Sequence, residues 1–376
     1  MIIAINTRAL PDDYPEEYKY FISEVLDRIT SKNPEHHFII LGDKKYSYEF
    51  AMRSNVQQII AGPVSAHSLV MKYWLEVKLP ALLKKHKANF FLSFDGTCSL
   101  SGKVPQYMVF PDIFFDNFSF IKKNRLLFYK KNISKFLEKA NSIAVTSDFA
   151  KRKIINQYNL DASKIDVVFA GADMKFIPAN EEKKNAVKEK YTEGKEFFLY
   201  RGSINNSENL MNLLKAFSIF KKRQKTNMKL VLAGNVSKDY QSFNDSLKTY
   251  KYRNDIVLIQ NADREELIKL LGTAYVFINV SLRDRFNTFL IEAMRSEVPI
   301  IIAKNSSMQE IIKDAALYAD GTNHTDIADK MMLIYKDEKL HKELIQKGKL
   351  ISGKYDWDKT AALVWNSILK AADKNL

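Results

Sequence analysis

The chain has 376 residues, 46% of them hydrophobic, and a formal net charge of +14. That length suits two domains of ordinary size; a lone Cys98 excludes an internal disulfide and a cysteine-built zinc cluster, and no run of 18 or more uncharged apolar residues offers a membrane span. The charge favours an anionic partner such as a nucleotide or a membrane face, whereas no helix-turn-helix, RNP-like or finger pattern points to nucleic acid.

In chain order, residues 1–5 read as a strand and not as a basic-led signal peptide, which with the single cysteine points to the cytoplasm. Residues 16–30 are amphipathic at helical spacing, with Phe21, Val25 and Ile29 on one stripe. A strand at 37–41 follows, then a helix over 68–87 that Pro80 should kink or split. Short apolar runs at 89–92, 107–110, 142–145 and 165–169 alternate with loops and helices. The helix at 122–140 carries Leu126, Tyr129, Ile133, Phe136, Leu137 and Ala140 on one stripe, and lysines elsewhere. That stripe fits packing on a sheet, and the lysines fit either water or an anionic membrane. Phe114, Phe115, Phe118 and Phe120, just upstream, suit core, lid or interfacial anchors. Residues 179–195 are charged and poor in large aliphatics, and read as a domain linker with a surface helix.

A second alternating series places strands at 197–200, 229–233, 256–259, 275–279 and 299–303. Helices at 210–221, 264–271, 288–295, 327–335, 340–349 and 357–371 lie between and after them. Alternation of this kind predicts two doubly wound α/β domains with a cleft between them. In such sheets ligands bind at the carboxyl ends of strands, where loops meet helix N-termini. Asp284 falls in one such loop and Glu292 one turn into the helix after it, although both acids also fit solvated surface charges.

The stretch 281–299, SLRDRFNTFLIEAMRSEVP, resembles the acid-x7-Glu region of glycosyltransferase family four: Asp284, Phe286, Glu292, Ala293, Met294 and Pro299 match its pattern. Segments around 147–151, 166–173, 306–311 and 355–357 resemble further landmarks of the family, and 33–36, 79–88 and 103–106 look like a Bacteroidetes-type branch. The resemblance implies a GT-B fold, α/β, with two Rossmann-like doubly wound domains facing across a cleft. The expected division is an acceptor domain at 1–178, a linker at 179–195, a nucleotide-sugar domain at 196–356, and a C-terminal helix at 357–376 returning to the first domain.

The same resemblance implies a retaining hexosyltransferase that passes a sugar from a nucleotide sugar to a glycan or lipid-linked acceptor in cell-surface polysaccharide synthesis. No metal or further cofactor is expected, because cationic side chains neutralise the departing diphosphate. Asp284 and Asp112 are the expected catalytic residues; Arg201, Gly202, Ser203, Asn209, Phe286, Asn287, Thr288 and Glu292 are expected to bind the donor. The expected location is the cytoplasm, peripheral on the inner face of the cell membrane through the stretch from Lys122 to Lys139.

Several matched positions depart from the pattern. Three glycines of the pattern are Arg285, Asn287 and Glu297; the Arg and Lys facing the diphosphate are Ser203 and Glu208. The histidine before Asp112 is Pro111, and residues 15–21 hold no glycine where the family turns against phosphate. Glycine is scarce throughout, 12 of 376 residues, about 3% against a usual level of about 7%. These changes bear on one ligand, so the alternative function is a catalytically inactive glycosyltransferase fold serving as scaffold or partner subunit, with a protein partner in place of a substrate.

Overall fold

Strands rich in Ile, Val and Phe build two parallel sheets. The first holds β1 (Ile2–Asn6), β2 (His37–Gly42), β3 (Val56–Ile60), β4 (Phe90–Ser93), β5 (Gln106–Val109), β6 (Ser142–Val145) and β7 (Ile165–Val167), in the order β3-β2-β1-β4-β5-β6-β7. The second holds β8 (Phe197–Arg201), β9 (Lys229–Gly234), β10 (Ile256–Gln260), β11 (Val276–Asn279), β12 (Ile300–Ala303) and β13 (Ala316–Ala319), in the order β10-β9-β8-β11-β12-β13. Strands β4, β5, β6, β8 and β12 are buried along their whole length, the signature of strands covered by helices on both faces. Strand order reverses between β1 and β4, and again between β8 and β11. Each reversal is a topological switch point, where the crossovers leave a crevice at the strands' carboxyl ends.

This computed structural model describes residues 1–7, 16–43, 45–46, 48–62, 67–110, 123–205, 208–236, 240–282, 288–304 and 308–373. The chain divides into two compact units, Met1–Gly171 with Trp357–Leu376, and Ala172–Asp356. The stretch 179–195, expected as a linker, lies wholly inside the second unit. Helix Glu181–Thr192 occupies it, capped by Asn180, whose side chain accepts from the Lys183 amide. Val187 and Thr192 are buried there. The run of charges on the outer faces of this helix is what made it read as a connection.

Two edge strands, β3 and β13, had no expectation. The β3 sequence VQQII alternates neither in polarity nor in burial, and Ile60 is exposed. The expected break at Pro80 takes a specific form. Helix Ser68–Tyr73 passes into a π turn, Trp74–Lys78, and resumes as helix Leu79–Lys85. Proline has no N–H to give the Glu76 carbonyl; that carbonyl accepts from Ser101 Oγ at 2.8 Å instead. The Glu76 carboxylate takes the amides of Leu100 and Ser101 at 3.0 and 2.8 Å.

The basic helix runs Lys123–Lys139 and turns Phe128, Tyr129, Ile133, Phe136 and Leu137 into the core of the first unit. Ser147 caps the helix Asp148–Tyr158 by accepting from the Ala150 amide at 3.0 Å. Among the described residues, no helix is long and apolar enough to cross a membrane.

Candidate active site at the carboxyl edge of the second sheet

The site begins where β8 and β9 end side by side. Gly202 and Gly234 stand at φ +153° and +148°, a region open to glycine. The Gly202 amide donates to the Ala233 carbonyl at 3.1 Å, and the Ile204 amide to the Asn235 carbonyl at 2.9 Å. A Cβ on Gly234 would lie 1.9 Å from the Gly202 oxygen. The two strand-end loops therefore lie against each other as bare backbone, and this positions Arg201, the last residue of β8.

Arg201 is buried and points at the helix Thr288–Arg295. Its Nη1 donates to Glu292 Oε2 at 2.5 Å, and its guanidinium stacks 3.7 Å from the centre of the Phe289 ring. Glu292 is 1% exposed. Its other oxygen, Oε1, accepts from Arg264 Nη2 at 3.3 Å. Arg264 in turn donates through Nε and Nη2 to Asp173 Oδ2 at 3.2 and 3.1 Å. Phe176 lies beside both guanidinium groups, 5.1 Å from Arg264 and 5.6 Å from Arg201. The result is a charge-neutral chain, Asp173–Arg264–Glu292–Arg201, flanked by two aromatic rings and buried at its Glu292–Arg201 end. Burying charge is costly unless each group is paired and bonded, and each of the four is.

Of the expected donor-binding residues, the structure brings together Arg201, Gly202, Thr288 and Glu292. Thr288 is buried one helical turn before Glu292. Ser203 is half-buried in the loop, its carbonyl accepting from Tyr200 Oη at 3.1 Å. Asn209 has its side chain engaged by neighbouring segments. It stands at φ +63°, and its Nδ2 donates to the carbonyls of Val280 and Gly321, both at 2.7 Å, while its Oδ1 accepts from Asn212. Its polar atoms lace three segments together. Glu208, expected to face a diphosphate, is buried with Oε2 accepting from Ser281 Oγ at 2.9 Å. Asp284, Phe286 and Asn287, like Asp112 with Pro111 and the Phe114–Phe120 run, lie outside the described residues.

Sequence reasoning missed Arg264, Asp173, Phe176 and Phe289 as members of the cluster. One signal was available. Arg264 opens the helix Arg264–Leu271, directly after its cap Asp263. A cation at a helix N-terminus opposes the helix dipole, so an arginine there needs a partner elsewhere.

Residues 181–350, under half of the chain, match the family model described as Glycosyl transferases group 1. The O-antigen chain mannosyltransferase B of Escherichia coli is 23% identical over 249 residues, covering 63% of this chain and 62% of that protein. The chain thus aligns with less than two thirds of that relative's length. Among solved structures, a glycosyltransferase from Rickettsia africae superposes with a TM-score of 0.78 at 15% identity, covering 98% of both chains. Anabaena HepE in complex with UDP-glucose superposes with a TM-score of 0.77 at 11% identity, covering 98% of this chain and 100% of that one. The fold is thus that of GT-B glycosyltransferases, two parallel-sheet Rossmann-like α/β units, and the matched stretch contains Arg201, Arg264 and Glu292.

Proposed function

We propose that this protein is a glycosyltransferase that takes a hexose from a nucleotide-sugar donor and passes it, with retention, to a glycan or lipid-linked acceptor in polysaccharide synthesis at the inner face of the cell membrane. In the family-four manner, the work would need no metal. The observation that carries this reading is the Arg201–Glu292–Arg264 cluster at the β8/β11 switch point, inside the stretch that matches the family model. Mannosyl transfer, the reaction named for the Escherichia coli relative, is the first to try.

The cluster suggests how two substituted positions are compensated. With Ser203 and Glu208 where the resemblance calls for Arg and Lys, Arg201 and Arg264 are the cations that the cluster supplies among the described residues. Glu292 can accept hydroxyl hydrogen bonds from a ribose. Each hydroxyl it accepts weakens its hold on an arginine, and a guanidinium so loosened can donate to a diphosphate that gains charge as it leaves. Donor binding and leaving-group stabilisation would then share one carboxylate.

Thermal melts of the full chain with UDP, GDP, ADP, CMP and their sugars test this. A ligand at about 100 times its Kd should stabilise the fold by about 2.7 kcal/mol. One nucleotide class should shift the melt, and Arg201→Met should abolish the shift. For a nucleotide that binds, the anomeric configuration of the product reads retention directly. A second reading, an inactive scaffold, is favoured by the inward turn of Glu208 onto Ser281 and the commitment of Asn209 to backbone carbonyls. It predicts a well-folded protein whose melt no nucleotide moves.

A further inference from the structure

The helix pair on one face of the first sheet carries apolar side chains in both directions. Inward, Trp74, Leu75, Leu79 and Leu83 join the core that also takes Phe128, Ile133 and Phe136 from the basic helix packed beside them. Outward, Leu69, Tyr73 and Val77 are 70%, 49% and 53% exposed. Four residues of α-helix overshoot one turn, by about 40°, whereas four residues of the wider π turn fall short of one. The π turn at Trp74–Lys78 therefore swings Val77 back into line with Leu69, so the three form one outer stripe. On the neighbouring helix, Leu127 is 56% exposed. A helix apolar on two faces calls for an apolar neighbour on each.

The charges around the stripe say which neighbour. Lys72, Lys84, Lys85, Lys130, Lys131 and Lys135 are all exposed on these two helices, and Glu138 is their one exposed acid among the described residues. Glu76 is turned away, bonded to the 100–101 backbone. Lysine is depleted in protein interfaces, but lysines ringing exposed Leu, Tyr and Val side chains suit a bilayer with anionic headgroups. We propose that the outer face of the helices Ser68–Lys85 and Lys123–Lys139 docks the protein on an anionic lipid surface, with Leu69, Tyr73, Val77 and Leu127 entering the headgroup boundary. The basic helix contributes lysines and Leu127, since its main apolar stripe is core; the other apolar contacts come from its neighbour. This rests on the transferase reading only for its purpose, access to a lipid-linked acceptor.

Co-sedimentation of the full chain with vesicles tests it. Phosphatidylcholine vesicles containing about a quarter phosphatidylglycerol should carry the protein down at low salt, and pure phosphatidylcholine should not. Lys130→Ala with Lys131→Ala should weaken partitioning roughly 25-fold, about fivefold per lysine. Leu69→Ser with Val77→Ser should weaken it by about tenfold or more. All four residues are exposed, so unchanged melting of both variants establishes that they fold. Equal binding to both vesicle types, binding to neither, or binding unaffected by both double variants would overturn the proposal. So would retention on heparin without vesicle binding, which would mark the patch as a polyanion or protein site. Nucleotide-dependent melting reads the transferase function separately: a chain that binds vesicles but no nucleotide keeps this proposal and loses the other.

Discussion

The two units present the same kind of crevice, a carboxyl edge at a switch point, and their described residues line it with different chemistry. At the edge of the first sheet, Tyr18 in the opening turn of the helix Glu16–Lys32 donates to the Phe94 carbonyl, just past β4, at 2.5 Å. Phe21 stands 6.4 Å from Phe94 and 6.1 Å from Trp357, and Tyr20 packs edge-on to Trp357 at 5.5 Å. Aromatic rings thus occupy a helix start that a glycine turn would open to phosphate. At the edge of the second sheet, bare glycine backbone and a run of alternating charges, buried at Glu292 and Arg201, stand at the corresponding place. Among the described residues the first edge combines these rings with a buried Ser93–Asp95–Thr97 hydrogen-bond network, whereas the second places paired arginines and carboxylates beside glycine backbone, so a diphosphate is to be sought first at the second unit.

The largest effect should come from the glycine pair. Gly234→Ala drives a methyl into the Gly202 oxygen at 1.9 Å, and that oxygen is backbone that cannot rotate away. A destabilisation of at least about 4 kcal/mol is expected, in the class of severe backbone clashes. It should be read as a collapse of the urea transition together with loss of any nucleotide response. A mild effect would mean that the β8 and β9 loops can part, and that the close approach does not position Arg201.

Arg201→Met comes next. It keeps the apolar contact with Phe289 but leaves buried Glu292 with Arg264 alone, which should cost about 3 to 5 kcal/mol. The informative reading is the companion Arg201→Met with Glu292→Met, which removes charge in a balanced way. If the pair is a structural tie only, the double variant should recover most of the stability and leave nucleotide binding untouched. If the pair serves a ligand, stability returns and binding does not.

Tyr18→Phe sharpens the contrast from the other side. It removes one buried hydrogen bond and leaves the ring stacked on Phe21 at 5.9 Å. A loss of about 1 kcal/mol is expected, with no change in nucleotide binding measured by calorimetry. A binding defect would show that the first edge is more than packing.

How much of this was legible beforehand follows from the same contrast. Buried strands announce themselves as apolar runs, so β4, β6, β8 and β12 could be read directly, whereas β3, VQQII, is interrupted by two glutamines and half-exposed, and β13, ALYA, is an apolar run of only four residues without β-branched side chains. Arg201 and Glu292 could be named from residue type and motif. Their junction to Arg264 and Asp173 could not: Asp173 and Arg264 are 91 positions apart, and so are Arg201 and Glu292, and only the sheet order brings them together. The ties that Asn209 makes could not be read either, because a polar side chain beside a ligand loop serves equally well to bind a ligand or to tie backbone carbonyls. Nothing in its neighbours distinguishes those uses.

The smallest effect is the one that separates stability from binding. His341 lies at the other end of the second sheet, its ring 4.6 Å from Tyr275 and its Nε2 3.2 Å from the Tyr275 carbonyl. Burial pushes its pKa below the ordinary value of 6.5; the bond to Tyr275 and the nearby Glu338 and Glu196 oppose that shift, and Lys342 adds to it. The folded protein therefore holds this proton less tightly than the unfolded chain. By linkage, stability is full above about pH 6.5, declines as pH falls through the window below it, and levels off beneath the folded pKa. Subtracting the urea stability of His341→Gln from that of the parent between pH 8 and pH 5 removes the carboxylates common to both. The difference should fall toward acid by less than any substitution above. Nucleotide affinity over the same range should not follow it, since no histidine belongs to the Arg201–Glu292 cluster as the structure describes it. If affinity tracks the His341 titration, the two ends of the second sheet are coupled, and the division of labour drawn between crevice and scaffold gives way to one in which the amino edge regulates the carboxyl edge.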